Sequence, residues 1–217
     1  KKVILSAPAE VDGIKTIVLG VNEHILDGSE KIVSNASCTT NNAAPMIKVI
    51  SELCGIEQAY ITTVHSYTTD QSLHDQPHKD LRRARGASQS IVPTTTGAAK
   101  ALTKIFPEFE GKIGGSGIRV PVPDGSLTDI TCYVKREVTI EEINARFKEV
   151  AENELKGILA YTEDPIVSVD IIGNRNSCLF DAQLTSVIDR MVKVVGWYDN
   201  EIGYSSRIID LISLIRK

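Results

Sequence analysis

A short apolar strand that runs directly into a helix through one cysteine constrains this chain more than any other feature. The run is Ser34-Asn35-Ala36-Ser37-Cys38-Thr39-Thr40-Asn41-Asn42, entered from the strand-like stretch Lys31 to Ser34. Beyond it, Thr39 to Leu53 places Ala43, Ile47, Ile50 and Leu53 at helical spacing and stops at Gly55. Such a passage belongs to folds that mix strands and helices, and it is where they set reactive groups. The unpaired N–H groups and dipole of a helix N-terminus favour a thiolate, which makes Cys38 a candidate nucleophile. The competing reading is a small buried hydrophobe, the usual fate of an unpaired cysteine.

Strands are predicted at Lys2 to Ser6, Thr16 to Val21 and Ala59 to His65, bounded by Pro, Gly and Asn. From Ser66 to Pro93 the chain is polar and aperiodic, and a loop of that length inside a compact domain is more often functional than not. Thr94-Thr95-Thr96 offers capping hydroxyls to a helix from Gly97 to Phe106. Strands Ile113 to Val122 and Leu127 to Glu137 flank the turn Pro123-Asp124-Gly125, and Thr139 with Glu142 reads as a capping box for a helix to about Leu155. Further strands are expected at Gly157 to Tyr161, Ile166 to Asp170, Cys178 to Leu184 and Met191 to Tyr198. The last helix, Gly203 to Ile215, has a broad apolar face that must pack on something.

Composition excludes several functions. A formal charge of −4 and a pI near 5.6 argue against a nucleic-acid or membrane surface as main partner. No apolar run reaches the roughly 18 residues of a membrane span. Cys38, Cys54, Cys132 and Cys178 are far apart, without CxxC or a close His pairing, so neither a metal site nor a disulfide framework is expected. A cytoplasmic location is the default. The chain opens at Lys1 on a strand-like segment, with its first methionine at Met46, and reads as the interior of a longer polypeptide. The only glycine cluster, Gly114-Gly115-Ser116-Gly117, lacks G-x-G-x-x-G spacing and leads into a strand, so it is no dinucleotide fingerprint.

Other groups with chemical potential are fewer. His65 ends a predicted strand and is either a structural histidine or the base for a nearby thiol. Arg83 and its neighbours form either a solvated basic face or, with Thr96 and Gly97 at a helix start, an anion site. Arg119 stands in an otherwise apolar strand, where arginine ordinarily points outward. Asp199 and Asn200 read first as caps for the last helix.

Taken together, several segments resemble glyceraldehyde-3-phosphate dehydrogenases. They are Ser34 to Asn41, Thr62-Thr63-Val64-His65-Ser66-Tyr67-Thr68, Asp80-Leu81-Arg82-Arg83-Ala84-Arg85-Gly86-Ala87, Pro93 to Lys100, Arg119-Val120-Pro121 and Trp197-Tyr198-Asp199-Asn200-Glu201, in the family's order. The resemblance implies an α+β fold, a mostly antiparallel sheet with helices on one face, preceded by residual strands of a Rossmann domain. Residues 1–37 would be those strands, 38–200 a catalytic domain with an S-loop at about 66–93, and 201–217 a helix that packs on the dinucleotide-binding domain.

By the same resemblance, Cys38 is the nucleophile toward glyceraldehyde 3-phosphate and His65 its base. Thr68 and Arg119 grip the substrate's phosphate, while Ser37, Thr39, Arg83, Thr96 and Gly97 hold attacking inorganic phosphate. Asn200 holds the nicotinamide amide of NAD and Tyr204 packs nearby; a homo-oligomer, a tetramer at full length, is implied. Asn42 stands where the family often has Cys or Ser, Thr69 replaces a common Asn, Gly196 a common Ser, and Pro77 is closer to the NAD-using glycolytic form. A sister erythrose-4-phosphate dehydrogenase and a non-catalytic assembly or binding fragment are the other readings. Without a nucleotide fingerprint, the chain alone is expected to be inactive.

Overall fold

The computed structural model describes residues 1–216. Three short strands, β1 (Val3–Leu5), β2 (Lys15–Thr16) and β3 (Ile32–Ser34), pair in parallel in the order β1-β3-β2. From β3 the chain enters α1 (Cys38–Cys54) and returns as β4 (Ile56–Ser66). A long loop leads to β5 (Val92–Thr94), α2 (Ala98–Ile105), β6 (Ile113–Val120) and β7 (Ser126–Val134). Then come α3 (Ile140–Glu152), β8 (Leu159–Thr162), β9 (Cys178–Asp181), β10 (Ser186–Ile188), β11 (Met191–Tyr198) and α4 (Ile202–Ile215). The last eight strands form one mixed sheet, ordered β5-β6-β4-β7-β11-β9-β8 with β10 also on β11. Only β4–β6 and β8–β9 are parallel, so the sheet is mostly antiparallel and the fold is α+β.

Period-two alternation gives this sheet one apolar face. Ala59 and Ile61 of β4 lie opposite Cys132 and Ile130 of β7, which lie opposite Val192 and Val194 of β11, and all six are buried. Their neighbours Tyr60 and Tyr133 point the other way and are exposed. Met46, Ile47 and Ile50 of α1, Leu102 of α2, and Ile143 and Phe147 of α3 close over the buried face. Phe147 stacks on Phe180 of β9 with ring centroids 3.7 Å apart. A second, smaller core joins Ile17, Leu19 and Val33 to Leu211 of α4. Ile209 and Ile212, on the rest of that helix's apolar stripe, stay exposed.

Several local expectations hold in detail. Ser37 caps α1, its hydroxyl accepting from the Thr40 amide at 3.1 Å, and Thr139 caps α3 through the Glu142 amide. The Glu142 carboxylate goes to Arg136 at 2.6 Å, so the second half of the box is not made. Of the two residues expected as caps for α4, Asp199, two residues before the N-cap Glu201, has its Oδ1 accepting from the Glu201 and Ile202 amides, whereas the Asn200 Oδ1 turns to the Ser66 and Ser126 hydroxyls. Gly196 faces Cys178 and Met46, where an added Cβ would lie 2.6 and 2.8 Å from their sulfurs.

Other expectations are corrected. Of the predicted strand Thr16 to Val21 only the start pairs, because the Asn22 side chain takes over: it accepts from the Val18 amide and donates to the Thr16 carbonyl. Ile166 to Asp170 is not a strand but runs into a 3₁₀ turn, Ser168–Ile171, with the Asp170 carboxylate accepting from the Val167 amide. Cys178 to Leu184 is a strand only to Asp181 and then turns. Strands β5 and β10 were not foreseen.

Candidate active site

Cys38 is the first residue of α1, and the chain reaches it through a forced turn. Ala36 sits at φ 55°, in the left-handed region that a residue with a Cβ rarely adopts, and is fully buried. Such a conformation costs on the order of 1 kcal/mol and persists only where the surroundings impose it. Here the Tyr204 hydroxyl of α4 donates to the Ala36 carbonyl at 3.0 Å, and Asn41 donates to the Asn35 carbonyl at 2.8 Å. The turn aims the Cys38 side chain at the end of β4, where its Sγ lies 3.4 Å from His65 Nε2.

His65 and Arg119 are register partners across the parallel β4–β6 ladder. Arg119 therefore points inward, contrary to the usual disposition of a strand arginine. Its Nη1 lies 2.6 Å from His65 Nδ1 and 2.9 Å from the Ser66 carbonyl. A guanidinium has donors only, so Nδ1 must accept and the neutral ring carries its proton on Nε2. In this state the imidazole donates toward Cys38 and does not accept from it. Tyr198, at the end of β11, packs edge-on to the imidazole at 5.9 Å and shares a hydrogen bond with the Thr39 hydroxyl at 2.9 Å.

Electrostatics follow from this packing. Burial pushes the Cys38 thiol up, against the Thr39 hydrogen bonds and the Arg119 charge, which pull it down. The helix-start effect that favours a thiolate is present, but burial outweighs it. Burial and then the Arg119 charge bring His65 down to about 4, with the Ser66 carbonyl acting the other way.

A cavity of 220 Å³ opens beside the pair, lined by Ser37, Cys38, Thr39, His65, Arg83, Thr96, Gly97 and Arg119 together with Pro8, Thr63, Thr94, Thr95, Ala98 and Gly117. Arg83 pairs with Asp70 and reaches the Thr95 carbonyl at 3.5 Å. Gly97 is the N-cap of α2, and no atom lies within 4 Å of where its Cβ would stand. Gly117 is bare for a different reason: a Cβ there would meet the Thr94 hydroxyl at 2.8 Å. Larger hollows of 480 and 460 Å³ lie elsewhere, and neither is lined by a cysteine.

Three of the expected site residues stand apart from this cavity. The Thr68 amide and hydroxyl both donate to Gln71 Oε1, at 3.0 and 3.5 Å. Asn200 lies behind His65, its Oδ1 accepting from the Ser66 and Ser126 hydroxyls at 2.9 and 2.8 Å. Tyr204 touches the turn before Cys38, as described. Asp70, Thr63, Ser126 and Tyr198 are not among the candidates read from the sequence; of these, Thr63, inside the Thr62 to Thr68 segment, and Tyr198, inside the Trp197 to Glu201 segment, carried a signal. Among the described residues no cluster of three His, Cys, Asp or Glu could hold a metal ion, and no helix is long and apolar enough to cross a membrane.

Comparison with known proteins gives a consistent result. A family model described as "Glyceraldehyde 3-phosphate dehydrogenase, C-terminal domain" matches residues 37–200. The chain is 55% identical over all of its 217 residues to a glyceraldehyde-3-phosphate dehydrogenase of Mycobacterium avium, covering 64% of that protein. It is 57% identical over 213 residues, 97% of the chain, to glyceraldehyde-3-phosphate dehydrogenase 2 of Streptomyces avermitilis, covering 63% of it. The chain thus spans a little under two thirds of the length of these relatives.

Proposed function

Because the chain belongs to the glyceraldehyde-3-phosphate dehydrogenase family, we propose that its cavity is the acyl-forming site of a phosphorylating aldehyde dehydrogenase. The reaction is oxidation of glyceraldehyde 3-phosphate, with NAD and inorganic phosphate, to 1,3-bisphosphoglycerate through a thioester on Cys38. The observation that carries this reading is the convergence of one thiol, one imidazole at 3.4 Å and two arginines on a single small cavity. In domain terms, 1–37 are read as the last strands of a dinucleotide-binding domain, 38–200 as the catalytic domain and 201–217 as its closing helix.

With Arg119 on the substrate's phosphate and the ring proton on Nδ1, His65 Nε2 takes the S–H proton as Cys38 Sγ attacks the aldehyde carbon, and gives that proton to the developing alkoxide oxygen. The hydroxyl proton of the resulting thiohemiacetal returns to His65 as the thioester forms. NAD, when bound, accepts the hydride released in that oxidation. The thioester keeps the acyl group activated, and phosphate oxygen attack expels the Cys38 thiolate. Arg119 would hold the substrate's own phosphate; Arg83, Thr96 and Gly97 would hold the attacking one, using charge and helix-start amides. Thr68 would join them once its hydroxyl left Gln71.

Asn200 fits a nicotinamide amide. With Oδ1 taken by two serines, its Nδ2 has no partner among the described residues and can donate to a carboxamide oxygen. The sequence offers no pyrophosphate cradle, so we propose that these 217 residues alone make no NADH from glyceraldehyde 3-phosphate; measurable NADH would overturn that.

The test of the site itself is protection of the thiol. Glyceraldehyde 3-phosphate should slow iodoacetamide labelling of Cys38, and unphosphorylated glyceraldehyde at the same concentration should not. Equal protection by the two would remove the phosphate role of the arginines. Stronger protection by erythrose 4-phosphate would move the substrate to the four-carbon sugar.

A further inference from the structure

Ser66, the last residue of β4, is fully buried, and each of its three polar groups is spent on a different neighbour. Its amide donates to the Ser126 hydroxyl at 3.1 Å, its carbonyl accepts from Arg119 Nη1 at 2.9 Å, and its hydroxyl donates to Asn200 Oδ1 at 2.9 Å. Ser126, the first residue of β7, donates to the same Oδ1 at 2.8 Å. The β7–β11 ladder sets Ser126 opposite Tyr198, two residues before Asn200, so both hydroxyls converge on one side-chain amide.

The two hydroxyls decide which way round the Asn200 amide lies. Each has a single proton, and neither finds another acceptor among the described residues; the nearby Tyr198 hydroxyl pairs with Thr39 instead. The Ser126 oxygen already accepts from the Ser66 amide. An amide nitrogen at that place would leave two buried hydroxyl protons unbonded, whereas an oxygen with two lone pairs takes both. Nδ2 is thereby turned away from the serines, on a residue that is only half-buried.

We propose that Ser66 and Ser126 are positioning residues that lock the Asn200 amide with its NH₂ group toward the nicotinamide ring, so that this corner of the site donates to a carboxamide oxygen. This rests on the reading of Asn200 given above and deepens it, since neither serine touches the cofactor and both act through Asn200. Ser66 also joins two corners of the site by different atoms. Its hydroxyl serves the asparagine, and its main-chain carbonyl serves Arg119. Ser66→Ala removes the first and keeps the second, so it loosens the nicotinamide corner and spares the phosphate corner.

The experiment is ¹H–¹⁵N NMR of the side-chain amides in the full 217-residue chain, titrated with nicotinamide riboside and, separately, with glycerol 3-phosphate. The riboside carries the ring without any phosphate, so it calls neither on a pyrophosphate cradle nor on the arginines. Asn200 is identified by the NH₂ pair missing in Asn200→Asp. In the free chain, NOEs from the Nδ2 protons to the β-protons of Ser66 and Ser126 should be weak; strong ones put the nitrogen where the oxygen is assigned and overturn the orientation. The riboside should shift the Asn200 NH₂ signal, with a dissociation constant that rises about fivefold in Ser66→Ala and in Ser126→Ala. In Ser66→Ala the affinity for glycerol 3-phosphate should stay within about twofold of wild type. An equal loss for both ligands marks a merely structural role and overturns the positioning. Unchanged riboside affinity in Ser66→Ala also overturns it and leaves Asn200 as the nicotinamide ligand. If Ser126→Ala, which strips the Ser66 amide of its acceptor, does not fold, Ser66→Ala and the NOEs decide. No shift of the Asn200 signal by the riboside up to its solubility limit overturns both the positioning and the reading of Asn200.

Discussion

The two sheets of this molecule are held in unequal ways. The eight-stranded sheet with α1, α2 and α3 encloses a core of 29 buried apolar residues, whereas the three-stranded sheet with α4 shares four. Every side chain that lines the candidate site, save Pro8, comes from the larger unit or from the turn that enters it. The turn itself, however, is anchored from the smaller one: β3 delivers Ala36, and Tyr204 of α4 holds its carbonyl. The chemistry is thus mounted on the stiff unit and aimed by the weak one. Losses of stability should separate along the same line.

The sharpest test is a truncation in the large core. Phe147→Ala removes a stacked partner of Phe180 and should cost about 3–5 kcal/mol in urea unfolding, with all secondary structure lost together. Acid comes next. His65 is lowered in the folded chain to about 4 from an ordinary value near 6.5. Its stabilising contribution is therefore complete above pH 6.5 and is lost as the pH falls toward 4, about 3 kcal/mol in all. His65→Gln should flatten that part of the stability curve; an unchanged slope would mean that other groups carry the acid sensitivity.

Leu211→Ala should cost about 2 kcal/mol and act locally, with faster amide exchange in β1 to β3 and none of the effect in β4 or β7. Uniform loss of protection would show that the two units unfold as one, and would break the contrast. Gly196→Ser, which restores the residue the family often has, should cost about 1–3 kcal/mol because Cys178 and Met46 fill the space. Most of that cost should be regained in combination with Cys178→Ala. Smallest of all, Ile209→Glu on the open stripe of α4 should change stability by less than about 0.5 kcal/mol. A larger loss would reveal that something covers that stripe in solution.

What the sequence disclosed follows the same division. α1 and β11 were legible to within a residue, and α3 in its start though it ends three residues short of the expected Leu155, since each has an unambiguous cap or alternation and packs in the large core. In the smaller unit, Val18, Leu19 and Val21 are apolar and buried yet lie outside the ladder; hydrophobicity reported burial, and the Asn22 side chain had replaced the strand pairing. Strand β10 was missed because it joins β11 through Asp189 at φ 55°, a turn without the glycine that ordinarily marks one. Val167 and Val169 looked like strand residues but are exposed at the start of and on a 3₁₀ turn that the Asp170 carboxylate closes.

At the site, the identities of Cys38, His65 and Arg119 were readable and their electrical state was not. Proximity to a helix start predicts a lowered thiol. The depth of Sγ reverses that for the thiol, and the Arg119 charge beside Nδ1 adds to burial in lowering the imidazole, through the register of two strands whose facing residues are 54 apart. Asp70 and Ser126 were invisible for a similar reason, because they act on Arg83 and Asn200 only once the loop and the sheet have folded.

Because β4 and β6 run parallel with His65 opposite Arg119, the backbone ladder works as a spacer of about 4.8 Å between an imidazole and whatever stands at position 119. That makes position 119 a tuning point for an engineer. A glutamine there would keep a donor without the charge, and a methionine would remove both, each leaving the thiol's own anchorage untouched. A slip of one residue would put Ile118 or Val120 opposite the ring and disconnect the control altogether. The acidity of this imidazole is set by strand alignment as much as by side-chain identity.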